Sequence, residues 1–423
     1  MTYFLPQVTI VDPQSPFHLQ KVDIRLHDGQ IEAIGPDAKR AEGDKLLELK
    51  NAHIAPSWVD IGAQSGEPGF EHRETLDSLS SAAHAGGYGH VVIRPDTQPA
   101  LDHASAIRSI AQYHSPYAVQ LYPMAGASVQ GKGTELTEWL DLAAAGAVAF
   151  SNAPEAISSN AFMLKALQYG KRVGRPLIHN PHDRTFVPGA QVHESQQSIS
   201  LGLKSWPEAA ETLLMDRDLV LLEYSSGHIV WDGLSSAGAV DRLRRASKKG
   251  VRFSAGLGYL HLCFSEEEVQ DFNTLFKMSP PLRSDKDREA LWAAIREGLI
   301  SYVSSQHSPV EQDLKDIEFP YAAFGAEGLE TVMSGFLKYC PLDDPLTHWV
   351  QLAAIGPRKL LGWEPVALQK GQVADFTLFD PDTEYVLEKH HLQSLSFNNP
   401  NLGRPLKGQI FGRLINDAWW PTI

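Results

Sequence analysis

A few short stretches hold the side chains that metal-assisted or acid–base chemistry would need. Leu177-Ile178-His179-Asn180 ends an apolar run on an imidazole, and His182, Asp183 and His193 follow it. Ser305-Gln306-His307-Ser308 places another imidazole late in the chain, and His261 stands two residues before Cys263. Asp60 sits in the apolar run Trp58-Val59-Asp60-Ile61, which then turns through Gly62, Gly66 and Pro68. A hydrolytic zinc centre takes about three protein ligands and lowers the pKa of its bound water to about 7. These imidazoles are single and scattered, and His193-Glu194 lacks the second histidine of a helical zinc motif. No Gly-x-Ser-x-Gly elbow occurs. Gly126-Ala-Ser-Val-Gln-Gly131-Lys132 imitates a phosphate loop, but Gly133 stands where Ser or Thr would hold magnesium.

The elements that must carry these residues follow a βα rhythm. Strand-like apolar runs are His90–Arg94, Val119–Pro123, Ala147–Phe150, Pro176–His179, Val220–Tyr224, Val251–Ala255 and Ile300–Ser304. Between them lie helix-like segments: Thr75–Ala85, Ser105–Tyr113, Glu135–Ala144, Ala161–Gly170, Pro207–Asp216, Ala237–Lys249 and Asp285–Glu297. Glu266-Glu267-Glu268 reads as a helix start after the cap candidate Ser265. This alternation predicts a (β/α)8 barrel of the TIM type, with functional groups on the loops after the strands.

Short alternating strands flank the barrel: Tyr3–Val11, Lys21–His27, Gln30–Gly35 and Leu46–Ile54 before it, Gln372–Asp380 and Gly408–Asp417 after it. They predict a small β-sandwich built from residues 1–55 and 365–423, with the barrel at 56–364. The length of 423 residues and 43% hydrophobic content suit such a pair. A formal charge of −14 argues against nucleic acid as a partner, and two cysteines exclude a disulfide framework. With neither a signal peptide nor an apolar run of about 18 residues, a cytoplasmic protein without membrane partners is expected.

Several of these stretches resemble the dihydroorotase family of the amidohydrolase superfamily. The opening signature there is Asp-x-His-x-His, then an Arg and Glu-Pro-Gly; this chain reads Asp60-Ile-Gly62-Ala-Gln64-Ser-Gly66-Glu67-Pro68-Gly69. Lys277-Met-Ser-Pro-Pro-Leu-Arg283 and Gln372-Val-Ala-Asp-Phe376 also follow the family pattern, in the right order along the chain. The resemblance implies a chemical role for each strand end, and most of those positions are altered. Gly62 and Gln64 replace metal-binding histidines, and Gly66 a substrate-binding arginine. Asp96 replaces a substrate-binding asparagine. Asn152 replaces a bridging acid, and Gly233 a further metal histidine. Gln306 replaces the acid–base aspartate, and Val310 a substrate-contacting histidine. Asp60, His179, His307 and Arg283 remain as a remnant pocket, with His179 the one metal-ligand position retained in register.

The resemblance thus implies a degenerate dihydroorotase: a pseudoenzyme with no catalytic residues and no metal cofactor. It would act as a homo-oligomer or as a structural or regulatory partner of aspartate carbamoyltransferase in pyrimidine biosynthesis. The alternative is an active zinc-dependent cyclic-amide hydrolase with an altered site around His179, His182 and His307.

Overall fold

Eight parallel strands follow one another in sequence order around a barrel: β1 (Trp58–Ala63), β2 (Tyr88–Ile93), β3 (Gln120–Gly126), β4 (Ala149–Ser151), β5 (Leu177–His179), β6 (Ile229–Trp231), β7 (Phe253–Gly258) and β8 (Tyr302–Ser304). The computed structural model describes residues 1–422. Every residue of β1 is buried, as expected of a parallel strand covered on both faces. Inside the barrel Val59, Ile61, Val92, Met124, Ile178, Val230 and Tyr302 pack together. Around it, helices begin at sites legible in the sequence. Thr75 and Ser284 close reciprocal capping boxes with Ser78 and Asp287, so two otherwise unsatisfied amides are bonded at each helix start.

The β1–β8 edge is closed mainly by side chains. Ser305 donates its amide and its hydroxyl to Asp60, at 2.7 and 2.8 Å, and the Gln64 amide donates to the His307 carbonyl at 2.9 Å. Asp60 is fully buried, and burial raises its pKa. It serves as a seam between the first and last strands.

The flanking strands form one sheet, in which Asp375–Val386 pairs antiparallel with both His53–Pro56 and Pro405–Ile415. Leu5, Ile10, Ile24, Ile54, Phe376, Leu378 and Leu414 make its core. Asp375 joins this sheet to the barrel floor by receiving Arg358 and His90, each at 2.8 Å.

Three local expectations are corrected. Val220–Tyr224 is the last part of the helix Ala209–Ser225, and the strand follows at Ile229–Trp231. A run of Val, Leu, Leu and Tyr reads as a buried strand when cut from the helix it continues. Leu46–Ile54 is not continuous either: Lys45–Leu46 and His53–Pro56 pair with different parts of Thr2–Ile10. Glu266–Val269 is a single 3-10 turn without a side-chain cap from Ser265. Among the described residues no helix is long and apolar enough to cross a membrane.

Candidate functional site

The loops after the strands meet at the barrel mouth, where chemistry would be expected. Gly62 lies at φ +97°, a conformation that a histidine rarely adopts. A Cβ there would meet Cγ and Cδ of Arg94 and Oδ2 of Asp232, each at 3.9 Å. These are ordinary van der Waals separations, so the Arg94 stem and Asp232 line the space beside Gly62. The Arg94 guanidinium pairs with Asp96 at 2.9 Å and reaches Ser308 Oγ at 3.4 Å. Gln64 donates to Asp96 at 3.1 Å and accepts from Ser308 at 3.1 Å. Gln64 and Asp96, two altered positions, thus belong to one closed hydrogen-bonded ring with Arg94 and Ser308.

Gly233 has a close filler. A Cβ at Gly233 would stand 2.7 Å from Gln306 Nε2 and 2.9 Å from Asn180 Nδ2. On the far side, a Cβ at Gly258 would collide with Gln306 Oε1. The Gln306 amide lies between two glycines that leave it room. Asp232, beside Gly233, accepts from the Tyr302 hydroxyl at 2.7 Å. Burial pushes its pKa up to about 6, opposed by that hydroxyl and by Arg94.

The fit of Gln306 between glycines has a measurable consequence. Gly258→Ala, at an ordinary backbone conformation, should overpack this contact and cost about 1–3 kcal/mol. In a Gln306→Ala background most of that cost should vanish, a coupling of at least about 0.5 kcal/mol in a denaturation double-mutant cycle. Additive effects would show that the amide and the glycine are not fitted to each other.

The two retained imidazoles are both engaged. His179 Nδ1 lies 2.8 Å from Asp218, and its Nε2 accepts from the Ile157 amide at 3.0 Å. Nε2 is therefore the acceptor nitrogen, and its lone pair is already used. Asp218 is held further by Arg217 at 2.7 Å and Trp231 at 2.9 Å. Burial alone would raise the Asp218 pKa, but these partners bring it below the ordinary value.

His307 is fully buried, with Nε2 3.1 Å from Glu74 and Nδ1 3.7 Å from Glu327. Burial lowers its pKa, but the two carboxylates outweigh burial and raise it to about 10. Nδ1 also accepts from the Gly328 amide at 3.4 Å, so both ring nitrogens are engaged within the protein.

The remaining positions are structural or lie elsewhere. Arg283 donates to Ser235 at 2.7 Å and lies 3.2 Å from His193, with Glu211 at 3.7 Å. Burial and Arg283 push His193 down to about 4. His182 is buried edge-on against Trp206, and burial and Arg283 hold its pKa well below the usual range. At Gly66, a Cβ would press on the carbonyls of Phe70 and Glu74, so an arginine does not fit there. Asn152 accepts from the Ser128 amide at 3.1 Å and hydroxyl at 3.0 Å, and Val310 is buried under Asn398.

The structure thus brings together Gln64 with Asp96, Asp60 with Ser305, and Gly233 with Gln306. His179 and His307 remain in separate networks. Arg94, Asp232, Tyr302 and Asn180 went unrecognised in the sequence. The available signal was Arg94 itself, a charged side chain ending the apolar run His90–Arg94.

Comparison with known proteins places this geometry. A family model described as Dihydro-orotase-like matches residues 52–231. The dihydroorotase of Syntrophus aciditrophicus is 34% identical over 415 residues, covering 96% of both chains. That of Acetivibrio thermocellus is 32% identical, again covering 96% of each. Among solved structures, the L-hydantoinase of Arthrobacter aurescens superposes with a TM-score of 0.85 at 20% identity, over 99% of this chain and 96% of its own.

These relatives overturn the expectation of a protein without a cofactor, because dihydroorotases and hydantoinases are metal-dependent amidohydrolases. The residues present do not fit the zinc of that chemistry. Gly62 and Gly233 offer no side-chain donor atom, His179 Nε2 already accepts from the Ile157 amide, His307 is engaged by Glu74 and by the Gly328 amide, and among the described residues no group of three His, Cys, Asp or Glu is placed to hold a metal ion. With about a third of its residues shared with the Syntrophus enzyme across nearly its whole length, the chain belongs to the dihydroorotase family.

Proposed function

We propose that this member of the dihydroorotase family is a pseudoenzyme at its barrel mouth, and that it serves as a structural or regulatory partner in pyrimidine biosynthesis. One observation carries the first half of this reading. The altered ligand positions are lined by other side chains, the Arg94 stem beside Gly62 and the Gln306 amide against Gly233 and Gly258. Simple loss of ligands would leave voids; here Gly233 and Gly258 are closely filled by the Gln306 amide. The named partner, aspartate carbamoyltransferase, rests on the family resemblance.

The second reading is an active cyclic-amide hydrolase with an altered metal site. The names of the relatives favour it more directly than they favour a pseudoenzyme, since the Syntrophus and Acetivibrio relatives are both dihydroorotases.

The partnership is tested by co-expression with the carbamoyltransferase of the same cell. A complex that survives size-exclusion chromatography, and carbamoyltransferase activity that falls when this chain is omitted, is the expected result. Separate elution of the two proteins, with carbamoyltransferase activity unaffected by the omission, would contradict it.

A further inference from the structure

The barrel floor, opposite the mouth, holds a cavity of about 210 Å³ whose lining includes Lys171, Arg175, Pro176, His228, Arg252 and Leu360. Pro176, His228 and Arg252 immediately precede β5, β6 and β7, so three strand starts converge on it. Lys171 lies in the last turn of the helix Asn160–Val173, and Arg175 follows the left-handed Gly174 that ends it. Arg252 arrives from a different connection, after the helix Ala237–Lys248.

No acid lines this cavity, and among the described residues none of its three cations is paired with a carboxylate. By contrast Arg242, Arg244, Arg245 and Lys249, which lead up to Arg252, each hold one. Helix ends do not account for the cluster. A cation in the last turn offsets the helix dipole, and Arg172 serves there beside Lys171. Arg175 and Arg252 lie outside the helices, and three like charges left together repel one another. His228 has its Nε2 3.2 Å from Ser254 Oγ. Burial and Arg252 lower its pKa, so it adds a hydrogen-bonding nitrogen rather than a fourth charge.

We propose that this floor cavity binds the phosphate groups of a small phosphorylated molecule. A chain of net charge −14 repels anions over most of its surface, and a concave, unpaired positive cluster is where one can be held. A single carboxylate would leave two of the three charges uncompensated. One phosphate carries about −1.5 to −2 at neutral pH, so two linked phosphates match the cluster. Arg175 and Arg252 offer planar forks for phosphate oxygens and Lys171 a point charge. The volume falls below the roughly 300–1,000 Å³ that encloses a drug-sized ligand. The cavity therefore takes the phosphates and leaves the remainder of a larger ligand outside. It lies at the opposite end of the barrel from Gly62 and Gln306, so it stands whether or not the mouth hydrolyses a substrate.

Calorimetric titration of the full chain, without magnesium and at about 50 mM salt to limit screening, tests this site. Inorganic phosphate, pyrophosphate and adenosine triphosphate are the probes. Pyrophosphate should bind at one site per chain, about 10-fold or more tighter than inorganic phosphate. Arg175→Ala and Arg252→Ala should each weaken it about 10-fold or more, the loss of a charge-assisted hydrogen bond. Pyrophosphate should also raise the melting temperature of the parent more than that of either variant. Arg172→Ala, which removes a neighbouring charge outside the cavity, should leave binding within about 2-fold of the parent, as expected of a screened surface charge. Adenosine triphosphate binding as pyrophosphate does would assign the site to free or terminal phosphates, and tighter binding to a nucleotide whose remainder adds contacts. No saturable pyrophosphate binding up to about 5 mM, a range that covers millimolar affinity, would overturn the proposal. So would binding that survives both cavity variants, or an equal loss in Arg172→Ala, which would mark a diffuse charge effect.

Discussion

His307→Ala should lower the stability of the folded chain by about 3–5 kcal/mol at and below neutral pH, the cost of breaking a buried ion pair by removing one partner. His307 is the cation between the buried carboxylates Glu74 and Glu327. Alanine would leave both without it in a site that water does not reach. The sign of the pH dependence follows from the raised pKa. The folded value of about 10 lies above the ordinary value of 6.5. The stabilisation is therefore complete below about pH 6.5 and is lost as pH rises through about 10. Glu330 works in the same direction, because burial and Glu327 raise its pKa, so that it resists ionising as pH rises. Urea denaturation of the parent and of His307→Ala at pH 6 and pH 10 measures the effect. The two curves should lie far apart at pH 6 and converge at pH 10. Equal separation at both pH values would show that His307 is not held as an imidazolium.

How much was legible in the sequence depended on how local each constraint is. The barrel was legible because strand, turn and helix-start signals are each contained within a few residues. Trp58–Ala63 followed by Thr75, or Ser284 three residues before Asp287, can be read without knowing what they pack against. Val220–Tyr224 was misread because a five-residue run with four apolar side chains fits strand or helix equally. The deciding fact, an apolar outer face on a long helix, is tertiary.

The site was legible as a set of losses and illegible as a set of replacements. Gly62, Gly233 and Gln306 stand out where the resemblance implies metal ligands and an acid–base carboxylate. That the Arg94 stem lines the space beside Gly62, or that Gln306 lies between Gly233 and Gly258, depends on contacts across the barrel mouth. His179 was similarly half-read. Its position marked it as a ligand remnant, but its engagement by Asp218 and by the Ile157 amide comes from segments 39 and 22 residues away.

The measurement that tests the rebuilt site most directly is dihydroorotate hydrolysis by the purified full chain, assayed with zinc or manganese supplied throughout purification and reaction. Hydrolysis of this type would need a metal to activate water and a carboxylate to carry the proton to the leaving nitrogen. Where the resemblance implies that carboxylate stands Gln306, whose amide is neutral and held between Gly233 and Gly258. Arg94 and Asp96 add a fixed ion pair at the mouth. Groups that act as a unit lose nearly all of their rate enhancement when one is removed. Turnover should therefore be indistinguishable from a protein-free control containing the same metal. Saturable hydrolysis at about 1 s⁻¹ or faster, within the ordinary range of enzymes, would contradict the account and establish the chain as a working cyclic-amide hydrolase.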